Sequence, residues 1–369
     1  MKIALIFATR PEIIKLWPLI KIFKKKKINF FSIHSGQHYS KNLNYIFFKS
    51  LCIPSPKYKQ RIKLYKKAEE SSFVGKTMIG IEKILLKEKP DLVIVQGDTN
   101  TALAGALATK KIANKKYIIG KHIKLAHIEA GLRSFDNMMS EEINRIIIDN
   151  LSDFLFAPTH IDYKNLVNEN IDKSKIKITG NTVIDALKES KSKIESLDIL
   201  TKFKLKKNQY FLITLHRPEL VEYNEKLQKV LKILNKIEKL KNLPIVFPIH
   251  PRTKKNIKRL QQFSAISFIE PIGYYNFLIL LKNSKLVYTD SGGIQEEAYF
   301  FKVPCVTIRN NTERPQTVLH GKNILSGYEP KSIMKCTSLA LRKKQKNNKI
   351  FGTGNASFKI YQHIKKIQK

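Results

Sequence analysis

Little in this chain points to redox or metal chemistry. Its three cysteines, Cys52, Cys305 and Cys336, are odd in number and widely spaced. That excludes a disulfide framework and the paired Cys/His spacings of a zinc site, and it implies a reducing compartment. With 15 glycines and 14 prolines in 369 residues, collagen-like and low-complexity architectures are excluded as well. No stretch approaches the roughly 18 apolar residues of a membrane span. The apolar run at the N-terminus is about six residues, too short for the core of a secretory signal, and reads as a first strand. A soluble cytoplasmic protein is expected, with no membrane partner.

Negative charge is also scarce: 30 Asp and Glu face 68 Lys and Arg, a net charge of +38. Such a balance invites a polyanion partner, whose counterions clustered cations would release. Here the charge is spread along the whole chain and is nearly all lysine. It therefore reads as a solvated surface, and nucleic acid is not the expected partner. Against that background the arginines stand out, because Arg10, Arg133, Arg145, Arg217, Arg309 and Arg314 all fall inside the motifs below. A planar guanidinium fork grips carboxylate or phosphate in a way lysine does not imitate.

Short apolar runs alternate with amphipathic segments from end to end. Strands are expected at 3–7, 30–33, 92–96, 125–128, 154–157, 210–214, 244–248, 267–269, 286–289 and 305–308. Helical patterns cover 69–87, 101–112, 222–239 and 292–301. This is an α/β chain with parallel sheets covered on both faces. At 369 residues it exceeds the usual single domain. The pattern restarts near Thr179-Gly180-Asn181, so the expected domains are 1–180 and 181–355, joined by a helix over 183–195. A terminal helix, 356–369, is expected to pack back on the first. Two doubly wound, Rossmann-like domains facing a central cleft would present their strand C-termini to a ligand.

The strongest single motif is YTDSGGIQEEA (288–298), a strand, a Ser-Gly-Gly turn and a helix start. Gly292 and Gly293 let backbone N–H groups approach an anion, and the helix N-terminus adds donors and partial positive charge. The plain alternative is that Ser291 caps the helix while Glu296 and Glu297 complement its dipole. Downstream, RNNTERP (309–315) is either a polar constellation or a solvated loop. ATRPE (8–12) places Arg10 after the first strand, as a phosphate contact or a salt bridge to Glu12. TLHRPE (214–219) ends a strand the same way with His216 and Arg217, and FPIHPR (247–252) does so with His250.

Carboxylates gather in the first domain. QGDT (96–99) ends one strand with Asp98, HIEAG (127–131) ends the next with Glu129, and Glu141 and Glu142 open a helix soon after. Crowded, desolvated carboxylates at neighbouring strand ends are good proton donors or acceptors. The alternatives are that Asp98 caps the helix that follows it, and that Glu141, Arg145 and Asp149 form an i, i+4, i+8 ladder.

In this order the segments FATRPEIIKLWPLI, SGQHY, VIVQGDTNTALAGALA, AHIEAGLRSFDNMMSEEINR, FAPT, ITGNTVIDAL, TLHRPE, FPIHPRTK, IEPIGYYNFLILLKNSKLVYTDSGGIQEEAYFFKVPCVTIRNNTERPQTV and FGTGNAS resemble the non-hydrolysing UDP-N-acetylglucosamine 2-epimerases. The resemblance implies a GT-B-type fold, a homodimer, no cofactor or metal, and reversible inversion at C2 of a UDP-2-acetamido sugar for surface polysaccharide. In that chemistry UDP is eliminated to leave a 2-acetamidoglucal and then re-added. By motif match, Asp98, Glu129 and Glu141 carry over as acid/base carboxylates. His216 and Arg10 carry over as diphosphate contacts, together with Ser291, Gly292 and Gly293. Glu297 matches the ribose-binding acid, and Arg314 lies in the matching cleft segment. His216 is also placed to protonate a leaving group.

This chain departs from the family pattern at several points. Ala8 stands where glycine is usual, Pro218-Glu219-Leu220 follows His216-Arg217 in place of Glu-Asn, and Ser140 replaces a proline. Tyr39 follows Gln37-His38 where many members have arginine near an allosteric substrate site, and 112–122 reads as an insertion. A modified substrate, such as a 2,3-diacetamido uronic acid, and a hydrolysing epimerase are the alternative activities.

Overall fold

The computed structural model describes residues 1–36, 48, 51–60, 62, 70–113, 120, 122–249, 251–257, 262–345 and 349–367. Gln37, His38, Tyr39 and His250 lie outside the described residues, as does most of the 112–122 stretch. The apolar runs become strands of two parallel sheets. The first contains β1 (Lys2–Phe7), β2 (Asn29–His34), β3 (Tyr58–Lys59), β4 (Leu92–Gln96), β5 (Lys124–Ile128), β6 (Phe154–Ala157) and β7 (Ile176–Ile178), in the order β3-β2-β1-β4-β5-β6-β7. The second contains β8 (Phe211–Thr214), β9 (Ile245–Pro248), β10 (Ile266–Ile269), β11 (Leu286–Thr289), β12 (Cys305–Thr307) and β13 (Asn323–Leu325), in the order β10-β9-β8-β11-β12-β13. Central strands read as continuous apolar runs because helices cover both faces: Ile3 to Phe7 are all fully buried.

The chain forms two compact, Rossmann-like units, Met1–Lys188 with Phe351–Lys369, and Glu189–Ile350. The second shows how the core is built. Helix Asn224–Lys241 places Leu227, Val230, Leu231 and Leu234 on one face at i, i+3, i+4 and i+7, against Phe211, Ile213, Ile245 and Phe247 of the sheet. Each such side chain contributes about 1.5–3 kcal/mol by leaving water, and truncating one, as in Leu231→Ala, costs about 2–5 kcal/mol.

In the first unit the helix Ala356–Ile367 packs on the helix Arg10–Lys25. Its first turn is capped from a distance: the buried Asp185 carboxylate accepts the N–H groups of Ala356 and Ser357 at 3.2 and 2.9 Å. The helix expected over 183–195 is instead two, Thr182–Glu189 and Lys191–Glu195, broken at the fully buried Ser190. Sequence pattern also missed β3, β7 and β13, which are all sheet edges.

In both sheets the first strand is central and the strand order reverses beside it, between β1 and β4 and between β8 and β11. Where the crossovers part to opposite sides, a crevice opens beyond the strand C-termini.

Candidate active site

In the first unit Arg10, Asp98 and Glu129 follow β1, β4 and β5, three adjacent strands, at that reversal. The turn after β1 is fixed by Glu12. Its buried carboxylate accepts the N–H of Ala8 and of Thr9 and the Thr9 hydroxyl at 2.7–3.0 Å, the reciprocal half of a capping box. Its other oxygen accepts the Thr99 hydroxyl at 2.9 Å, tying the β1 turn to the β4 turn. Burial raises the Glu12 carboxyl above its usual range despite these bonds. Glu12 is therefore not the salt-bridge partner of Arg10. The Arg10 guanidinium is half-buried, its pKa is lowered by desolvation, and it makes no hydrogen bond or ion pair with a described residue. A bound anion would complete it.

Asp98 does not cap the following helix. Thr99 does so, its hydroxyl accepting the Ala102 N–H at 3.1 Å. Asp98 instead meets Arg145, whose Nη2 and Nε lie 2.5 and 3.2 Å from one carboxylate oxygen. Asn144 donates to the Asp98 carbonyl at 2.9 Å, so the helix Ser140–Leu151 is docked on this turn. Of its acidic pair, Glu142 is buried and accepts from Ser134, Phe135 and Arg145, whereas Glu141 is half-buried. The expected ladder does not extend to Asp149, which turns away to His127 and Arg133.

Glu129 is buried and sits in left-handed backbone, φ +76°, at a cost of about 1–3 kcal/mol for a residue with a Cβ. Its oxygens accept from Lys15 Nζ at 2.5 Å, Gln96 Nε2 at 2.5 Å and Asn181 Nδ2 at 3.2 Å. Lys15 was not singled out from sequence. Its only signal is a lysine on the otherwise buried face of the helix Arg10–Lys25. On the helix Ser140–Leu151, Asp149 accepts from His127 Nδ1 at 2.7 Å, Arg133 Nη1 at 2.8 Å and the Gly131 N–H at 3.1 Å. Burial pushes the Asp149 carboxyl up, but His127 and Arg133 more than offset it and hold it below its usual range.

In the second unit the expected residues follow β8, β11 and β12, again adjacent. His216, with its side chain 43% exposed, has Nδ1 3.1 Å from Asp290. The other Asp290 oxygen accepts the backbone N–H groups of His216 and Arg217 at 2.9 Å each. Burial pushes the Asp290 carboxyl up, but His216 and these N–H groups more than offset it and hold it below its usual range. Asp290 lies inside the YTDSGG motif, yet nothing local marks it as the residue that orients His216.

Ser291 stands at the N-cap of the helix Gly292–Phe301, but its hydroxyl caps nothing and bonds to no described residue. A Cβ at Gly293 would have nothing nearer than 3.9 Å, so this side of the turn is open. A Cβ at Gly292 would lie 2.2 Å from Glu313 Oε1. RNNTERP is not a solvated loop. Arg309, Glu313 and Arg314 are all buried, and Glu313 bridges Arg309 at 2.8 Å and Arg217 at 3.4 Å. Arg314 Nε pairs with the buried Glu296, so neither acidic residue simply complements the helix dipole. Glu297, also buried, faces Tyr274, whose hydroxyl pKa is driven well up by burial and by that carboxylate.

A carboxylate set at the strand ends of the first unit, and in the second a glycine turn at a helix N-terminus beside His216, are features of the kind that nucleotide-binding α/β enzymes use. The family model of UDP-N-acetylglucosamine 2-epimerases matches residues 21–365, and the chain belongs to that family. It is 45% identical to the UDP-N-acetylglucosamine 2-epimerase of Methanocaldococcus jannaschii over 98% of both chains. It is 38% identical, over the full length of both, to the UDP-2,3-diacetamido-2,3-dideoxy-D-glucuronate 2-epimerase of Pseudomonas aeruginosa. A crystal structure of the Methanocaldococcus jannaschii enzyme in complex with UDP-GlcNAc and UDP superposes with a TM-score of 0.89, at 44% identity and 99% coverage of both chains.

Proposed function

We propose that the protein inverts C2 of UDP-N-acetylglucosamine, giving UDP-N-acetylmannosamine without hydrolysis, as a supplier of surface-polysaccharide synthesis. The C2 proton is not flanked by a carbonyl, so direct abstraction is slow. Elimination solves this: the C1–O bond to UDP breaks, a base takes the C2 proton, and a 2-acetamidoglucal forms. Re-addition of the UDP oxygen to C1, with a proton delivered to the other face of C2, completes the inversion. These steps balance without a redox or metal cofactor.

Asp98, Glu129 and Glu141 are the acid/base carboxylates of this reading. Arg10, His216, Ser291, Gly292 and Gly293 receive the diphosphate, where charge develops as UDP leaves. Glu297 takes the ribose, and Arg314 lies in the segment that matches the family's cleft residues. The observation that carries the reading is Glu129, a buried carboxylate held in costly backbone beside the Asp98 turn, in a chain that matches epimerases end to end.

A homodimer is part of the proposal. Met138, Ile143 and Ile147 form an exposed apolar stripe leading onto the helix Ser140–Leu151, suited to a second copy. A cytoplasmic setting is supported by three free cysteines and, among the described residues, by the lack of any helix long and apolar enough to cross a membrane. Dispersal of the positive charge argues against a nucleic-acid role.

The test is a proton NMR time course with UDP-N-acetylglucosamine in D2O. A new UDP-N-acetylmannosamine anomeric signal with deuterium at C2 is expected. Free UDP accumulating with N-acetylmannosamine would make the protein a hydrolase. The Pseudomonas aeruginosa relative favours one second substrate, the 2,3-diacetamido uronate, and turnover of that sugar alone would replace the first reading.

A further inference from the structure

We infer that His127 and Asp149 are positioning residues that set the placement of Asp98 and Glu129, which rests on the reading that those two carboxylates do the acid/base work.

The two carboxylates sit on separate turns, after β4 and after β5, and neither turn is regular. Gly97, Glu129 and Gly131 all have left-handed backbone, at φ +69°, +76° and +84°. Each turn is held by one end of the same buried pair. His127 Nε2 lies 2.9 Å from the Gly97 carbonyl, the residue before Asp98. Its Nδ1 lies 2.7 Å from Asp149 Oδ1, and Asp149 Oδ2 accepts the N–H of Gly131, two residues after Glu129. Both ring nitrogens thus lie within hydrogen-bond distance of an oxygen, one on each turn's side of the ring. The chain Gly97–His127–Asp149–Gly131 is a continuous strut between the turns.

Arg133 anchors the strut. It reaches Asp149 at 2.8 Å and Glu169 at 2.6 Å, fixing the carboxylate on the helix Ser140–Leu151 whose Arg145 holds Asp98. His127, Arg133 and Asp149 are all buried. Apolar residues of similar volume stabilise a core at least as well as buried charges do. What an apolar trio cannot do is hold a carbonyl of one turn and an N–H of the next at fixed separation. A 1 Å displacement of an acid/base group is costly to a reaction that needs two of them on opposite faces of one carbon.

The readout is partitioning. Misplaced carboxylates let the 2-acetamidoglucal escape before its proton is returned, so the ratio of released glucal to UDP-N-acetylmannosamine rises. That ratio does not depend on how much protein is folded. Rates are expressed per UDP-binding site, counted by calorimetry. His127→Leu, which removes both ring nitrogens, is expected to lower kcat per site by about tenfold or more and to raise the ratio by about threefold or more. Asp149→Asn keeps the shape and shifts both in the same direction by less. It decides the matter if His127→Leu does not fold. Wild-type ratio and wild-type kcat per site in the variants that fold would overturn the inference. Asp98→Asn and Glu129→Gln are run alongside. Full turnover in both would remove the carboxylates from the mechanism, and the inference with them. Loss of turnover there with unaltered His127 and Asp149 variants would sink the inference alone.

Discussion

Glu313 occupies the space that a side chain at position 292 would need: an ideal Cβ on Gly292 lies 2.2 Å from Glu313 Oε1. Glu313 has no room to retreat, because Arg309 and Arg217 hold its two oxygens. Gly292→Ala must therefore displace a buried charge from its partners, at about 3 kcal/mol of stability. UDP affinity measured by calorimetry is expected to fall tenfold or more, on the order of 1.4 kcal/mol. Gly293→Ala meets nothing within 3.9 Å, so its Tm should stay within about 2 °C of wild type. Its UDP affinity should still drop, because a ligand approaching the turn would meet the added methyl.

Asp98→Asn and Glu129→Gln are each expected to abolish turnover, by about a hundredfold or more, while UDP still binds. Near-normal turnover in either variant, followed by the NMR assay, would remove that residue from the mechanism.

Asp290 predicts an acid limb in stability. Its carboxyl is held below the usual carboxylate range in the folded protein. The stabilisation is therefore fully present above about pH 4 and is lost as pH falls through the native value. Thermal unfolding between about pH 5 and 2 should show a shallower loss of Tm in Asp290→Asn than in wild type. An equally steep limb would mean that His216 and the two N–H groups do not favour the ionised form.

Asp185 caps a helix 171 residues away in sequence. Asp185→Ala should cost about 1–2 kcal/mol, as for other lost N-caps. Amide exchange should quicken across Ala356–Ile367 before it does in β1 or β4. Uniform exchange throughout the unit would show that packing on Arg10–Lys25 holds the helix without the cap.

The alternation of short apolar runs with amphipathic segments was enough to read ten of the strands to within a residue or two at each end, and with them the parallel α/β character. The two-sided burial of central strands leaves a continuous apolar signature that survives in one dimension. It fails at β3, β7 and β13, because an edge strand of two or three residues pairs on one side only and carries no pattern long enough to read. The placement of the candidate site residues was half legible. Strand-end motifs marked Arg10, Asp98, Glu129, His216 and the Ser291-Gly292-Gly293 turn, since a ligand site at strand C-termini must be built from whatever follows each strand.

What each of those residues is bonded to was decided by tertiary structure alone. Glu12 lies two residues from Arg10 but turns to Ala8, Thr9 and Thr99. Asp149 lies one helical turn from Arg145 but pairs with His127 and Arg133. Asp98 meets Arg145 across 47 residues, and Asp290 meets His216 across 74. Local spacing determines which groups can meet along one helix. In a buried site each carboxylate takes the cation or N–H that the packed sheet brings to it, because leaving it unmatched costs more than any surface pair gains. Composition and periodicity determined two doubly wound units with polar strand ends. The choice of ion-pair partners, and with it the placement of Asp98 and Glu129, came only from the fold.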